Sequence, residues 1–595
     1  MKVVMLMFDS LNRKALPSYG CSWAKLPNFE RLQKRVLTFD NFYAGGLPCM
    51  PARRELHTGK YNFLHRSWGP LEPFDDSCIE RLKAAGVYTH LVSDHSHYWE
   101  DGGATYHNRY NSWQQSRGQE GDHWMGQVAE PEIPEAVSPH PGPLWRQDWV
   151  NRKFLSDEEK MPQTQTLNNG IDFIARNHNA DRWFLQIETF DPHEPYYVPE
   201  EYVRLYPDSY AGEHLDWPNY GLNAYTSEQT VHLNKLYASL VAFCDKSLGR
   251  VLDAFDKFDL WDDTMLIVNT DHGFMLGEKD WMGKNTQPCY NEIVHTPFFV
   301  WDPRTAHANE RRSALVQTVD IPLTLLSFFG VDAPDATDGR DLTPVIEDDT
   351  PVREGALFGT FGTHVNVTDG KAVLMRAPVS QTNGPLYNYT LMPMHMDSMF
   401  SLPELRNPQI SREPFAPVPV LKYKADSYIN AYWYGDLLFD LEQDPDQEHP
   451  ITDKEDLKLR LINLMCTLMR QNKAPAEQYE RLGLPREGKV NGDWLSGPGR
   501  RVPFCAPEEL DDMPLTQEAK KAVCILLSIM LIIPDGQQYW NSLLTGLADI
   551  AGEQMLDEGQ TLAAIDQMLT VAGGKDAAMV KMILQFVRGF MRYQQ

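Results

Sequence analysis

Short apolar runs alternate with helical patterns along the first half of the chain. Five runs have the length and composition of strands, and they cover residues 3–8, 87–93, 183–188, 265–269 and 297–301. Two stretches, 164–176 and 227–258, have helical character, and in the second Leu233, Leu236 and Leu240 lie three or four positions apart. Strands that alternate with helices predict an α/β domain whose doubly wound sheet is flanked by helices.

The pattern changes after residue 330. Residues 356–360, 371–375 and 437–441 read as strands of a smaller antiparallel unit, with a helix near 456–471. Residues 475–510 are loop-like, and the pattern from 515 to 593 is helical. Because 595 residues exceed what a single core serves, we expect several domains. They are a catalytic α/β domain over 1–350, an α+β subdomain with an antiparallel sheet over 351–475, and a linker with a helical extension over 476–595.

Residues 114–160 combine Pro, Gly, Trp and His without a clear strand or helix period. This composition predicts an irregular excursion over the sheet, and long excursions often shape substrate sites. Aromatic and polar residues just before it are candidates for a pocket entrance: Tyr98, Trp99, Glu100, Asp101, Tyr106 and His107. Packing between domains explains these residues equally well.

Composition limits the classes of molecule that we expect the protein to bind. Hydrophobic residues make up 42% of the chain and charged residues 23%, as in ordinary globular proteins. A net charge of -27 argues against a nucleic-acid or anionic-membrane surface, so an anionic substrate would need locally concentrated cations. The eight cysteines lack regular spacing, which indicates reduced thiols. Residues 2–7 lack the features of a secretory signal, and the longest apolar run, 523–533, is too short for a membrane span. We therefore expect a cytoplasmic protein.

Two motifs carry chemistry. Cys49 is followed by Pro51 and Arg53, which alone is also compatible with a buried cysteine beside a loop proline. Asp271 and His272 follow an apolar strand, and Asp9 follows the first strand. Carboxylates and imidazoles at strand ends can ligate one divalent cation, although Asp-His-Gly alone is typical of a turn.

These motifs and their order resemble type I sulfatases, the formylglycine-dependent enzymes of the alkaline phosphatase superfamily. The segments that carry the resemblance are 8–11, 19–20, 26–28, 49–59, 191–196, 271–284, 295–297, 318–322, 438–441 and 444–445. The resemblance implies an alkaline-phosphatase-like fold up to about residue 450. The helical segment from about 510 matches no family pattern.

The resemblance also implies roles for single residues. A maturase would oxidise Cys49 to formylglycine, whose hydrate is the nucleophile, and Arg53 would hold the modified residue. Asp9, Asp271 and His272 would bind one divalent cation, with Ca²⁺ the first candidate and Mn²⁺ or Mg²⁺ the alternatives.

His193 and Lys284 would contact the sulfate and its leaving oxygen. His193 is our first choice for the acid that protonates the departing alcohol, and Lys284 is the second. His364 and Asn366 are candidate substrate-binding residues that reach in from the second unit, with packing between domains as the alternative.

The chain departs from the family pattern at two places. Ser10 stands where many sulfatases have a second aspartate; it either ligates the cation or leaves that position to water. The usual lysine and histidine after the strand 87–93 are replaced, which leaves His95 and His97 as candidates for the base that expels the sulfate. As lone histidines they could equally be loop residues. These departures, together with Asp-His in place of Asp-Asn, bring the chain closer to phosphonate monoester hydrolases.

The prediction is therefore hydrolysis of a sulfate ester, on a sulfated carbohydrate or a small molecule. The alternative is a phosphonate monoester or phosphodiester hydrolase on the same scaffold, and a non-enzymatic binding protein is a third reading. The expected partners are the anionic substrate and the maturase, without nucleic acid or membrane. Apolar positions in the C-terminal helices predict packing on the core or a homo-oligomer interface: Leu526, Leu527, Met530 and Leu531.

Overall fold

A computed structural model describes residues 1–140, 142–495, 510, 513–530, 546–548, 550–551 and 554–572. The strands are β1 (Lys2–Phe8), β2 (Leu37–Phe39), β3 (Phe42–Tyr43), β4 (Gly46–Leu47), β5 (Tyr88–Ser93), β6 (Ser112–Gln115), β7 (Trp183–Thr189), β8 (Gly221–Leu222), β9 (Thr264–Thr270), β10 (Met275–Leu276), β11 (Trp281–Gly283), β12 (Phe298–Trp301), β13 (Glu310–Arg312), β14 (Val316–Gln317), β15 (Ala356–Thr360), β16 (Val365–Thr368), β17 (Ala372–Arg376), β18 (Tyr387–Thr390), β19 (Gln409–Ser411), β20 (Val420–Lys424) and β21 (Leu437–Asp440).

The helices are α1 (Pro27–Arg35), α2 (Cys49–Thr58), α3 (Cys78–Ala84), α4 (Ala104–His107), α5 (Pro143–Arg152), α6 (Pro162–Asn177), α7 (Glu200–Val203), α8 (Ser227–Lys257), α9 (Asn291–Val294), α10 (Ile321–Phe328), α11 (Thr343–Asp348), α12 (Glu455–Gln471), α13 (Ala476–Arg481), α14 (Gln517–Met530) and α15 (Glu558–Ala572).

The five predicted strands of the first half all belong to one eight-stranded sheet. Its order is β13-β2-β12-β9-β1-β7-β5-β6, and β12 runs antiparallel to both of its neighbours. The other pairs are parallel. The central strands therefore end at the same edge of the sheet.

Both faces of this sheet are covered, which explains why its strands are continuous apolar runs. Alternate residues of β1 point to opposite sides. Val4, Leu6 and Phe8 pack into a core with residues of α1, α6 and α8. Val3, Met5 and Met7 pack into a second core with residues of α2, α3 and α10. The doubly wound α/β prediction is confirmed.

A smaller sheet follows, in the order β21-β17-β16-β15-β4. Its pairs are antiparallel except β4 with β15, which is parallel. Apolar residues of α12, among them Leu461 and Met465, pack against Val367 and Leu374 of this sheet. Since β4 lies two residues before Cys49, the smaller sheet anchors the segment that leads into α2.

Two predictions of irregular structure were wrong in part. Within 114–160, helix α5 occupies Pro143–Arg152 and buries Trp145 against Trp217. Pro143 at its first turn is a helix-start signal. Within 475–510, helix α13 occupies Ala476–Arg481.

Helices α14 and α15 belong to the C-terminal extension. Leu515 bridges to Leu556, and Leu526 and Ile565 are buried. The side chains of Leu527 and Met530, together with Leu531, lie outside the described residues. Among the described residues, we find no helix with the length and apolarity to cross a bilayer.

Candidate active site

Polar side chains meet where the central strands end. Asp9 follows β1, and Asp271 follows its neighbour β9. Glu188 lies at the end of β7, on the other side of β1. Their side chains are fully buried, so each charge must find a partner inside the protein.

Cys49 is the first residue of α2 and is 2% exposed. Its Sγ lies 3.2 Å from Lys284 Nζ, 3.3 Å from His272 Nε2 and 3.9 Å from Asp9 Oδ1. Burial and the charge of Asp9 raise the pKa of the Cys49 thiol well above its ordinary value. An unmodified Cys49 is therefore a protonated thiol, which is a weak nucleophile.

Four side chains around this sulfur can share a cation. One ligand atom from each of Asp9, Cys49, Asp271 and His272 lies within 4.8 Å of the others. His272 Nδ1 is 2.9 Å from Gly273 O, which leaves Nε2 facing the group. Burial lowers the pKa of His272 and so favours the neutral imidazole that a metal requires. Two carboxylates, an imidazole and the position 49 side chain fit one divalent cation.

Ser10 orients this group. Its φ is 63°, so the backbone turns directly after Asp9. Its N–H donates to Asp271 Oδ1 at 3.1 Å, and its hydroxyl donates to Asp9 Oδ1 at 2.7 Å. Lys284 Nζ donates to the same hydroxyl oxygen at 3.2 Å. The hydroxyl therefore serves as a bridge between Lys284 and Asp9.

Arg53 binds three carboxylates at once. Its Nε donates to Glu188 at 2.7 Å, Nη1 to Asp271 at 2.7 Å and Nη2 to Asp9 at 3.0 Å. Nη1 also donates to the carbonyl of Cys49 at 2.9 Å. The guanidinium thus ties the start of α2 to the ends of β1, β7 and β9.

Lys284 and His193 lie beside the same group. Burial opposes the charge of Lys284, but the interaction with Cys49 and with the carboxylates of Asp9 and Glu194 outweighs it and raises the pKa of the ammonium. His193 Nδ1 is 2.6 Å from Glu194 O. Burial and the charge of Lys284 lower the pKa of His193 well below its usual value, so the free enzyme holds it neutral.

Comparison with known proteins decides the family. The sulfatase family model matches residues 2–331, which is more than half of the chain. The chain belongs to the sulfatase family. This finding confirms the resemblance to type I sulfatases and the expectation of an enzyme.

Individual relatives agree. An arylsulfatase of Clostridium perfringens is 23% identical over 403 residues, which cover 61% of this chain and 82% of the relative. An N-acetylglucosamine-6-O-sulfatase of Bacteroides thetaiotaomicron is 24% identical over 401 residues, with 58% and 71% covered. The structure of a phosphonate monoester hydrolase of Agrobacterium radiobacter shares the fold with a TM-score of 0.55 and 18% identity, covering 79% of this chain and 96% of the other.

His95 and His97 stand where many sulfatases have a lysine and a histidine. The two imidazoles have different partners in the structure. His95 Nε2 lies 3.3 Å from Asp9 Oδ2, and its Nδ1 accepts from the His97 N–H at 3.4 Å. His97 Nδ1 lies 2.6 Å from Glu100 Oε1. Burial favours neutral His97, but the hydrogen bond and charge of Glu100 outweigh it and raise the pKa of this imidazole.

Other predicted residues of this sulfatase lie within the surrounding framework. His364 Nε2 is 2.9 Å from Gly435 O, and Asn366 donates to Phe358 O at 2.9 Å, so these bonds stay within the smaller unit. Their role in substrate binding stays a prediction. Tyr98 is 2% exposed and donates to Glu188 at 3.0 Å, so of the two alternatives its position favours packing over a pocket entrance.

Three acidic residues near the site were not predicted from the sequence. Glu188 ends a predicted strand, and a carboxylate at that position was the available signal. Glu194 accepts a hydrogen bond from Tyr220 and is 2% exposed. Glu120, where burial raises the pKa to about 7, interacts electrostatically with His97 and other charged groups of the site. Glu120 lies in an irregular stretch and had no sequence signal.

Proposed function

We propose that this sulfatase-family enzyme hydrolyses a sulfate ester, with Cys49 converted by a maturase to formylglycine. The convergence of Lys284, His272 and Asp9 on the Cys49 sulfur carries the proposal. In the folded protein an unmodified Cys49 would be a weak nucleophile, because burial raises the pKa of its thiol. A hydrated aldehyde offers two hydroxyls in its place.

Asp9, Asp271, His272 and the position 49 side chain would hold one divalent cation, with Ca²⁺ the first candidate and Mn²⁺ or Mg²⁺ the alternatives. When bound, the cation would supply Lewis-acid stabilisation of the charge on the transferred group. Ser10 acts through Asp9 and Asp271, which its hydroxyl and amide hold in place.

Lys284 would supply the positive charge nearest the substrate. Arg53 is already bonded to three carboxylates, so its role is to fix the start of α2 and the carboxylates of the cation site. Lys284 Nζ instead faces Cys49 and the Ser10 hydroxyl, with Asp9 Oδ1 at 3.8 Å, so its charge lies beside the position proposed for the sulfuryl oxygens.

The imidazoles divide the proton transfers. His193, with Nδ1 toward the Glu194 carbonyl, accepts a proton at Nε2 when the anionic ester raises its pKa, and then protonates the leaving alcohol. Lys284 is the alternative acid. His97, with Nδ1 on Glu100, keeps Nε2 available as the base that would remove the proton of the second hydroxyl, so that the aldehyde forms again as the bond between its carbon and the sulfate oxygen breaks. His95 is the less favoured base because its Nε2 faces Asp9.

The phosphonate monoester or phosphodiester alternative rests on the departures from the sulfatase pattern, among them Ser10 and the pair Asp271-His272 in place of Asp-Asn. A serine in place of a second aspartate removes one negative charge from the cation site, which changes its charge balance and its metal preference. The substrate class on the sulfate side is a sulfated carbohydrate or a small sulfate ester, as the name of the glucosamine-sulfate relative suggests. His364 and Asn366 are the proposed contacts to its alcohol part.

Comparative rates on an aryl sulfate, a phosphonate monoester and a phosphodiester test the assignment, with protein co-expressed with a maturase. We expect the aryl sulfate to be hydrolysed fastest, an aldehyde at position 49 by peptide mass spectrometry, and loss of turnover on chelation that added metal restores. Cys49→Ala should abolish activity, and Cys21→Ala, at a partly exposed cysteine, should retain it. Preference for the phosphorus esters would favour the alternative, and an active Cys49→Ala would refute the nucleophile.

A further inference from the structure

Glu188 has no counterpart among the residues assigned above to nucleophile, cation or acid–base chemistry. It lies in β7, beside Met7 of β1 and Ser93 of β5 in the register of the sheet. Its side chain is fully buried. An ionised carboxylate at such a depth needs strong hydrogen-bond donors.

Three donors meet the carboxylate of Glu188. Oε1 accepts from Arg53 Nε at 2.7 Å, and Oε2 accepts from the Tyr98 hydroxyl at 3.0 Å and from Gln186 Nε2 at 3.0 Å. Tyr110 donates its hydroxyl to Gln186 Oε1 at 2.6 Å, which fixes the amide so that its N–H groups face Glu188. Every hydrogen bond in this network therefore donates toward Glu188, and its carboxylate is the final acceptor.

The rigid guanidinium transmits this anchoring. With Nε held by Glu188, the two terminal nitrogens of Arg53 point to Asp271 and Asp9, which are proposed cation ligands. One positive charge is thus divided among three carboxylates. Without Glu188, Arg53 would neutralise Asp9 and Asp271 more completely, and these would attract a cation less strongly.

We propose that Glu188 is a positioning residue that orients Arg53 and shares its positive charge, so that Asp9 and Asp271 stay oriented and only partly neutralised, which leaves negative charge to bind a divalent cation. This inference rests on the proposed cation site. Behind the site, Tyr98 and Gln186 hold Glu188 in place, and Glu188 in turn holds Arg53.

Glu188→Gln tests the inference. The amide keeps the size of the side chain but carries no charge, and one end would present N–H groups to existing donors. Partners one step behind a metal ligand change affinity or activity by about 10–100-fold, so we expect Mn²⁺ and Ca²⁺ affinity, by titration calorimetry, to fall about tenfold or more. We expect kcat for the best ester to fall with KM nearly unchanged. Glu188→Asp should recover part of both.

The control is Glu72→Gln. Glu72 is another fully buried carboxylate that accepts from an arginine Nε, that of Arg66 at 3.0 Å, but it bonds none of the cation ligands. It should lose thermal stability and keep cation affinity and kcat. If Glu188→Gln melts like the control while its cation affinity and kcat match wild type, the inference is overturned.

Two outcomes separate this inference from the proposed function. A wild-type protein that binds neither cation and hydrolyses none of the esters refutes the cation site itself. If Glu188→Gln does not fold, Tyr98→Phe replaces it, because that variant removes one hydrogen bond to Glu188 and leaves Arg53 intact. We then expect a twofold to tenfold loss of cation affinity. An affinity equal to that of wild type would refute the positioning role.

Discussion

At the scale of single residues, the pKa values of two imidazoles in the site are shifted in opposite directions. The Glu100 carboxylate holds His97 toward its charged form, whereas burial holds His193 neutral. Each imidazole therefore starts in the state opposite to its proposed role, so His193 has to gain a proton and His97 has to lose one before they act.

The His97–Glu100 pair predicts a pH effect. Since the proposed base must be neutral and Glu100 raises the pKa of His97, Glu100→Gln should move the acidic limb of the kcat profile to lower pH. His97→Ala should lower kcat by about 10²-fold or more, with a smaller rise in KM. The control is Glu310→Gln, which breaks an exposed pair with His307. Unaltered kcat and profile in both site variants would make His97 a loop residue.

Two buried carboxyl groups lie behind the site. Gln119 Nε2 donates to Asp94 at 3.0 Å and to Asp191 at 3.3 Å. Burial raises the pKa of Asp94 to about 7, and burial together with Asp94 raises that of Asp191 well above its usual range. The folded protein therefore binds protons that the unfolded chain releases near pH 4.

The free energy of unfolding should consequently fall as the pH rises from about 4 to 7 through this pair. Asp94→Asn removes the ionisation of one member, and we expect it to be more stable than wild type at pH 8, by up to about 4 kcal/mol. Urea unfolding at pH 5 and pH 8 measures the effect. Asp216→Asn provides a control of opposite sign, because burial opposes the charge of Asp216 but Arg152 outweighs it and lowers the pKa. A lower stability of Asp94→Asn at pH 8 would contradict the argument.

At the scale of elements, the loop after β9 meets helix α9 without space between them. A Cβ on Gly273 would lie 2.0 Å from the carbonyl oxygen of Glu292, and the Gly273 N–H donates to Ile293 O at 2.7 Å. Only glycine allows this approach. The same loop carries Asp271 and His272, so backbone packing fixes two proposed cation ligands.

Gly273→Ala should therefore be costly, because the backbone of α9 has to move. We expect a loss of about 2–3 kcal/mol in the free energy of unfolding and a weaker cation affinity. Gly126→Ala is the matched control, since its Cβ would meet nothing within 4 Å. Chemical denaturation and cation titration of both variants give the comparison. Equal stability of the two variants would show that the contact yields easily.

The elements also show what the sequence could predict. The strands at 3–8, 183–188 and 265–269 were predictable because burial on both sheet faces makes them continuous apolar runs. Strand β16 was missed because its four residues, Val-Asn-Val-Thr, are too short a run for their apolar and polar alternation to indicate a strand. The helix at Pro143–Arg152 was missed because its ten residues, which include two tryptophans and one valine, do not form a clean apolar face.

The site divides in the same way. The grouping of Asp9, Cys49, Asp271 and His272 in space was predictable because strand ends and a short motif mark them in the sequence. The partners of His95 and His97 were not predictable, because the side chains of a short loop can reach several neighbours. Glu188 and Tyr98 meet only through the pairing of β7 with β5, which no local pattern reveals.

At the scale of the whole molecule, the net charge of -27 opposes an anionic substrate. The proposed cation, Lys284 and the imidazoles act only locally, so the approach of the substrate is slowed by the overall field. We predict that kcat/KM for an aryl sulfate rises as salt increases from 10 to about 150 mM, because screening shortens that field. The value of kcat should change little. A steady decrease of kcat/KM with salt would indicate a positive entrance to the site.

The C-terminal extension is predicted to serve stability or association. Leu526 and Ile565 are buried where α14 and α15 lie together, and the proposed catalytic residues are all found before residue 285. Truncation before residue 510 should therefore change the melting temperature or the solution mass while cation binding is kept. Calorimetry and light scattering provide the measurement. A soluble truncated protein with both values unchanged would contradict the prediction.

The pairing of strand β4 determines how long the segment before Cys49 stays unpaired during synthesis. Gly46 pairs with Gly359. The ribosome reaches Gly359 only after it has added more than half of the chain beyond Gly46. During synthesis at 5–20 residues per second, the segment before Cys49 waits roughly 15–60 s for its partner strand. The buried cysteine of the finished protein is therefore an accessible one during translation. A maturase that recognises an extended segment would have that interval to act, and a chain that completes its smaller sheet first would keep its thiol.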